Sequence, residues 1–271
     1  MPATVYAIFT LVPLFWMISS ALKRREDVLT LPIKWIPDPV QPQNFYEALF
    51  GARFAGYNLA AFMLNSLYVA IPTTIISTML CIISGYGFGK FYFRGRDTIL
   101  WTCLLATLLP FSSVVIPLYI IVQSIGLVDT LFALSIPFLV TGANVFLARQ
   151  FVIFSVPDEV LEAGRIDGWS ELNIFLRIAV PLLKPAIFTI AVLTFTSVWT
   201  MFLWPLVVLH DQSHFTLPLG LSLLGLGASF LTEYHLWMAA AAFSIVPIII
   251  LFIALRKYYT EGLKVLSGQR V

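Results

Sequence analysis

Charge is scarce in this 271-residue sequence: 11% of the residues are charged, against 59% that are hydrophobic. A soluble domain carries roughly 25% charged residues. Sixteen basic and fourteen acidic side chains cannot coat a water-soluble particle of this length. A cytosolic enzyme, a nucleic-acid-binding domain and a disordered tail are therefore excluded, and an integral membrane protein remains. The mean hydropathy of +0.92 agrees. The net charge of +2 is too small to imply an anionic partner. Cysteine is nearly absent. Cys81 and Cys103 both lie in apolar runs and read as buried fillers, which excludes a disulfide framework or a thiolate metal site. Histidine is as rare. His210, His214 and His235, with Asp211 and Glu233, read as polar outer-loop residues, because no helix aligns positions 210 and 214 for a metal. A nucleotide loop is missing too. Gly85 to Lys90 is one residue short of the phosphate-binding pattern, and Phe91 stands where Ser or Thr is required. Gly85 and Gly89 suit close helix packing instead.

What the sequence has in abundance is long uncharged runs. They cover 1–22, 54–89, 98–128, 130–148, 185–210, 215–232 and 236–255. A transmembrane helix needs about 20 predominantly apolar residues, and every run except 215–232 contains such a core. That run is rich in glycine and reads as either a seventh span or an outer loop. Basic residues decide between them. Six spans with both termini inside put eleven of the sixteen basic residues on the inner side, and five, Lys23, Arg24, Arg25, Lys34 and Arg53, on the outer side. A seventh span reverses the balance. The predicted fold is therefore an all-α polytopic membrane helix bundle of six transmembrane helices with both ends cytoplasmic. The first span lacks a basic lead-in and reads as an uncleaved anchor. The first outer loop, with Pro32, Pro37, Pro39 and Pro42, reads as a stiff, extended connection carrying a short helix at Asn44–Phe50. Prolines within the spans predict kinks. The span cores hold no ionisable group, which disfavours a secondary carrier.

Residues 155–184 are different. They hold five of the fourteen acidic residues. Ser155 with Asp158 three residues on, and Ser170 before Glu171, are two helix-start signals. Asp167-Gly168 between them is a stop, because glycine accepts the left-handed conformation. The spacing predicts helix, tight turn, helix on the cytoplasmic side.

Glu162-Ala163-Gly164, three residues, Gly168, nine residues, Ile178, one residue, then Val180-Pro181 resembles the "EAA" signature of ABC-importer permease subunits. Gly164 replaces the second alanine and Val180 a leucine. Asn65-Ser66, Phe93-Arg94-Gly95-Arg96, Pro117-Leu118-Tyr119, Gly126-Leu127 and Trp204-Pro205-Leu206 are similar to the carbohydrate branch, the maltose-type smaller permease. The resemblance covers nearly the whole chain. The family's Trp-Asn-acid-Phe in the fifth span is replaced by Trp199-Thr200-Met201-Phe202.

The resemblance implies a single ABC-transporter transmembrane domain over 1–271, with 155–184 as its cytoplasmic coupling segment. Glu162, Ala163, Gly164, Asp167, Gly168 and Pro181 would then meet the ATPase. Small residues permit close approach, Glu162 offers a carboxylate to a basic group, and Gly168 lets the chain reverse. Polar and aromatic candidates for a substrate pathway are Asn65, Asn144, Trp199, Thr200 and Trp204. The implied partners are a second permease subunit in a heterodimer, two ATP-binding subunits that hold ATP and Mg, an extracytoplasmic solute-binding protein and membrane lipid, with no nucleic acid. No cofactor is expected in this chain. The implied location is a prokaryotic inner membrane, and the implied cargo a sugar, oligosaccharide or polyol. The tail from Gly262 to Val271 would reach toward the ATPase. The competing readings are an ABC permease for a non-sugar solute and a polytopic membrane enzyme, which would leave the 155–184 segment unexplained.

Overall fold

The computed structural model describes residues 2–51, 58–226 and 233–266, and among these every regular element is helical. The chain opens with α1 (Pro2–Ala21), α2 (Gln43–Phe50) and the long α3 (Leu59–Lys90). Then come α4 (Arg96–Ala106), α5 (Phe111–Ser124), the short α6 (Leu131–Ser135) and α7 (Gly142–Ser155). A run of short pieces follows: α8 (Asp158–Ile166), α9 (Glu171–Ile174) and α10 (Val180–Leu182). The order closes with α11 (Lys184–Trp199), α12 (Leu203–Val208), α13 (Leu217–Leu226) and α14 (Tyr234–Leu266).

Among the described residues, two helices are alone long and apolar enough to cross a membrane: α3, and α14 over Tyr234–Ala254. Three further spans are bent pairs. α4 and α5 meet at 106°, Leu131–Phe138 and α7 at 46°, and Glu171–Leu182 and α11 at 76°. Length and composition thus give two to five spans, with a shorter apolar helix at Phe9–Ala21 where the first of six was expected. Proline explains two of the breaks. Pro110 stands immediately before α5, and Pro185 lies in the first turn of α11, both positions where proline's missing N–H is harmless. Pro72, Pro117 and Pro247 instead sit inside α3, α5 and α14. Of the two cysteines, Cys81 is buried as expected, but Cys103 is exposed: α4 turns that side chain away from its neighbours.

The chain divides into two compact units. The first comprises Met1–Leu67 and Leu209–Ile250. Here α2 begins one residue before the expected short helix, but the proline-rich loop doubles back instead of extending. Gln41 N–H bonds to the Leu22 carbonyl at 2.8 Å, and the Asn44 amide donates to the carbonyls of Ala21 and Lys23 at 2.9 and 2.8 Å. Trp35 lies edge-on to Trp16, with ring centroids 5.5 Å apart. Lys23 is 1% exposed, with its ammonium 4.0 Å from the Trp16 ring centroid. Burial pulls its pKa down, and Asp27 opposes this. The glycine-rich run is described to Leu226, and 227–232 lie outside the described residues. Within it lies α13, ten residues or about 15 Å long, half of the roughly 30 Å hydrocarbon thickness. The Leu217 N–H bonds to Ser66 Oγ at 2.8 Å, and Gly220 packs against the Phe62 ring, where a Cβ would overlap.

The second unit comprises Tyr68–Val208 and Leu251–Val271. Its core joins Ile82 and Tyr86 of α3, Phe151 and Val152 of α7, Leu161 of α8 and Ile190 of α11. Gly85 and Gly89 form the small-residue face predicted for close packing. A Cβ on Gly89 would stand 2.7 Å from Val152 Cγ1, and one on Gly85 would overlap Ala148.

Candidate functional site

Residues 155–184 fold as helix, turn, helix. Asp158 and Glu159 occupy the first turn of α8, where carboxylates favour the positive end of the helix dipole. Ser155 does not cap this helix. It ends α7, and Pro157 takes the capping position without a side-chain bond. The far end is a Schellman turn. The Trp169 N–H bonds to the Gly164 carbonyl and the Gly168 N–H to the Arg165 carbonyl, both at 3.0 Å. Gly168 has φ +80°, the left-handed conformation its position predicted. Ser170 then caps α9 by accepting the Asn173 N–H at 3.4 Å. The chain widens into a π-helical turn at Phe175–Ala179 and reaches α11 through α10.

The two faces of α8 differ. Leu161 and Gly164 are buried. A Cβ on Gly164 would lie 3.1 Å from Ile178 Cδ1 and 3.2 Å from Ile174 Cγ1. The small size of Gly164 is therefore used within this chain, not toward a partner as expected, because it lies three residues after Leu161 and shares its inward face. Glu162, Ala163, Asp167, Gly168 and Pro181 are exposed. Beside them sequence reasoning missed an apolar tip: Ile166 is 86% exposed, and Leu172 and Trp169 are also exposed. Their signal was present, as large apolar residues interrupting a charged, solvated segment.

Arg165 bonds Glu171 through two nitrogens, at 2.6 and 3.3 Å, which ties α8 to α9. The bond to Glu171 holds the Arg165 pKa above its ordinary value. That pairing leaves the Glu162 carboxylate outward. The Arg177 guanidinium lies 5.6 Å from the Trp169 ring centroid. At the other end of α8, the Lys90 ammonium donates to Asp158 Oδ1 at 2.6 Å. The assembled feature is a rigid knob with acidic flanks and an apolar tip.

The five pathway candidates are engaged within their own units. The Asn65 amide donates to the Ser213 and Phe215 carbonyls at 2.7 and 3.0 Å. The Asn144 amide donates to Thr194 Oγ1 at 3.1 Å, joining α7 to α11. Trp199 is buried and stacks on Phe195 at 5.7 Å. Thr200 Oγ1 donates to the Thr196 carbonyl at 2.8 Å. Trp204 is fully buried and donates its indole N–H to the Ala133 carbonyl at 2.9 Å. Among the described residues, no group of three or more His, Cys, Asp or Glu side chains is placed to hold a metal ion.

The family described as "binding-protein-dependent transport system inner membrane component" matches residues 77–265. The arabinooligosaccharides transport system permease protein AraQ of Bacillus subtilis (strain 168) is 32% identical over 256 residues, covering 94% of this chain and 89% of that protein. The sn-glycerol-3-phosphate transport system permease protein UgpE of Brucella abortus (strain 2308) is 27% identical over 253 residues, covering 93% and 89%. The fold is that of a chain in the crystal structure of a bacterial ABC transporter involved in the import of the acidic polysaccharide alginate. The TM-score is 0.82, with 22% identity and coverage of 95% of this chain and 93% of that one.

Proposed function

This chain belongs to the family of binding-protein-dependent transport system inner membrane components, and from that premise we propose how it works. It is a membrane-spanning permease of an ABC transporter for a sugar or oligosaccharide. The proposed assembly pairs it with a second permease subunit, two ATPases that bind ATP and Mg, and an extracytoplasmic solute-binding protein. Both termini face the cytoplasm, and so does α8. The relatives' solutes run from arabino-oligosaccharides to sn-glycerol 3-phosphate. We infer a hydroxylated cargo, with the second permease contributing much of its site, because most polar pathway candidates here already serve internal hydrogen bonds.

The observation that carries the mechanism is the α8–α9 knob. Glu162 and Ile166 stand outward on a short helix whose inner face is fixed by the buried Leu161. A partner cleft with a basic rim and an apolar floor fits it. When nucleotide closes the ATPases, α8 moves with that cleft, and the spans packed on Leu161 follow. Glu162→Lys tests the contact without touching the core. Uptake by proteoliposomes containing the assembled transporter and internal ATP should fall roughly tenfold, the loss expected when a docking charge pair becomes repulsive. Copurification of the ATPase should weaken in parallel. Wild-type association together with wild-type uptake sinks the assignment.

A further inference from the structure

The last residue of α3 and the first residue of α8 are joined by an ion pair, Lys90 Nζ to Asp158 Oδ1 at 2.6 Å. The two side chains are unequally placed: Lys90 is 7% exposed and Asp158 73%. An exposed pair on a surface contributes little, but an ammonium held nearly out of water needs its counter-charge. The pair also joins two helix ends of opposite polarity. Lys90 lies at the C-terminal end of α3 and Asp158 at the N-terminal end of α8, each at the end of its helix that favours its charge. Arg149, the basic residue of α7, is otherwise engaged, donating to the Phe88 carbonyl at 3.2 Å. Gly89 meanwhile seats this end of α3 against Val152. The end of α3 is thus held at one polar point on α8.

The apolar contacts of α8 reach α3 through the shared core. Gly164 rests on Ile174 and Ile178, and Arg165 is bonded to Glu171, so both lead into α9 and the π-helical turn. We propose that Lys90 and Asp158 are a positioning pair that carries displacement of α8 directly into α3, beside the apolar route through α9 and the π-helical turn, whose Phe175 ring meets Tyr86 of α3 at 5.0 Å. The proposal rests on the reading of α8 as the coupling helix. It assigns the pair a role in stoichiometric coupling and none in ATPase docking, because the Asp158 carboxylate is already engaged by Lys90.

The test uses the complete transporter in proteoliposomes, with ATP hydrolysed and solute taken up measured together. Lys90→Asp and Asp158→Lys each place like charges together. Each should raise the ATP consumed per solute at least roughly fivefold, the low end of typical coupling effects, while the ATPase copurifies normally. Combining the two restores an ion pair of reversed sense and should recover most of the ratio. Lys90→Met with Asp158→Asn removes both charges, leaves no buried ion behind, and should fold yet remain uncoupled. A merely structural pair would lower yield or thermal stability without moving the ratio. If the neutral pair transports at the wild-type ratio, or the reversed pair is no better than the single changes, the proposal is overturned. Glu162→Lys, run alongside, separates the two ideas: should it also leave docking and uptake intact, the coupling reading itself has failed.

Discussion

Gly164 stands where the resembling family has a second alanine, and its surroundings predict what restoring that alanine does. The new Cβ would meet Ile178 Cδ1, a side-chain end, at 3.1 Å and Ile174 Cγ1, next to that residue's Cβ, at 3.2 Å, contacts that a shift of a few tenths of an ångström relieves. Alanine gains about 1 kcal/mol of helix propensity over glycine. Gly164→Ala should therefore raise or keep the unfolding temperature of the purified complex and leave uptake unchanged. Gly164→Leu should lower it, since overpacking costs about 1–3 kcal/mol. A stable leucine variant would show that this face is not packed. The sequence showed that a small residue belongs here, but the side it faces was misread. The three-residue spacing from Leu161 was visible; that Ile174 and Ile178 cover that face depends on tertiary packing. Asn65, Asn144 and Trp204 carry a related lesson. A polar atom in an apolar run signals that it needs a partner, and here the partners are the chain's own carbonyls and hydroxyls.

At the scale of elements, the turn between α8 and α9 was the most legible feature. Its Gly168 and Ser170 act through local backbone chemistry that needs no distant partner. Gly168→Leu tests it by strain alone. Gly168 has φ +80°, and a Cβ there meets nothing within 4 Å, so the substitution costs about 1–2 kcal/mol of left-handed backbone strain without a clash. The bundle should insert and the protein should be recovered in normal yield, while ATP-driven uptake falls several-fold. Normal uptake would mean the turn's shape is immaterial to docking. α13 was the least legible element. Its glycines argued against a helix, but Gly220 is what lets it approach Phe62, and Ser66 caps its start from α3. Proline marked the breaks at Pro110 and Pro185, while the bends of 106° and 76° follow from the turns between helices, which propensity does not encode. The tail expectation is only partly described: α14 continues to Leu266, and 267–271 lie outside the described residues.

For the whole molecule, uncharged runs and basic-residue bias predict six spans with both ends inside, against the two to five that length and composition give among the described residues. A reporter fused after Val271 should behave as cytoplasmic, and one fused near Gly227 as extracytoplasmic; a C-terminal fusion active only outside would overturn it. The helical class was legible because the membrane demands that backbone groups bond within their own segment. The division into two compact units was not, because the boundaries at Leu67 and Ile250 fall inside the uncharged runs of α3 and α14. The buried Lys23 beneath Trp16 bears on how such a chain is made. Insertion machinery reads charges on an unfolded polypeptide, before any loop has doubled back, so it meets Lys23 as an accessible charge. In the folded unit Lys23 is withdrawn from water, while Arg24, Arg25 and Lys34 stay exposed. In this topology Lys23 must cross as a hydrated cation and be covered only afterwards. Its burial then acts as a one-way catch: dragging the segment back requires uncovering that charge first.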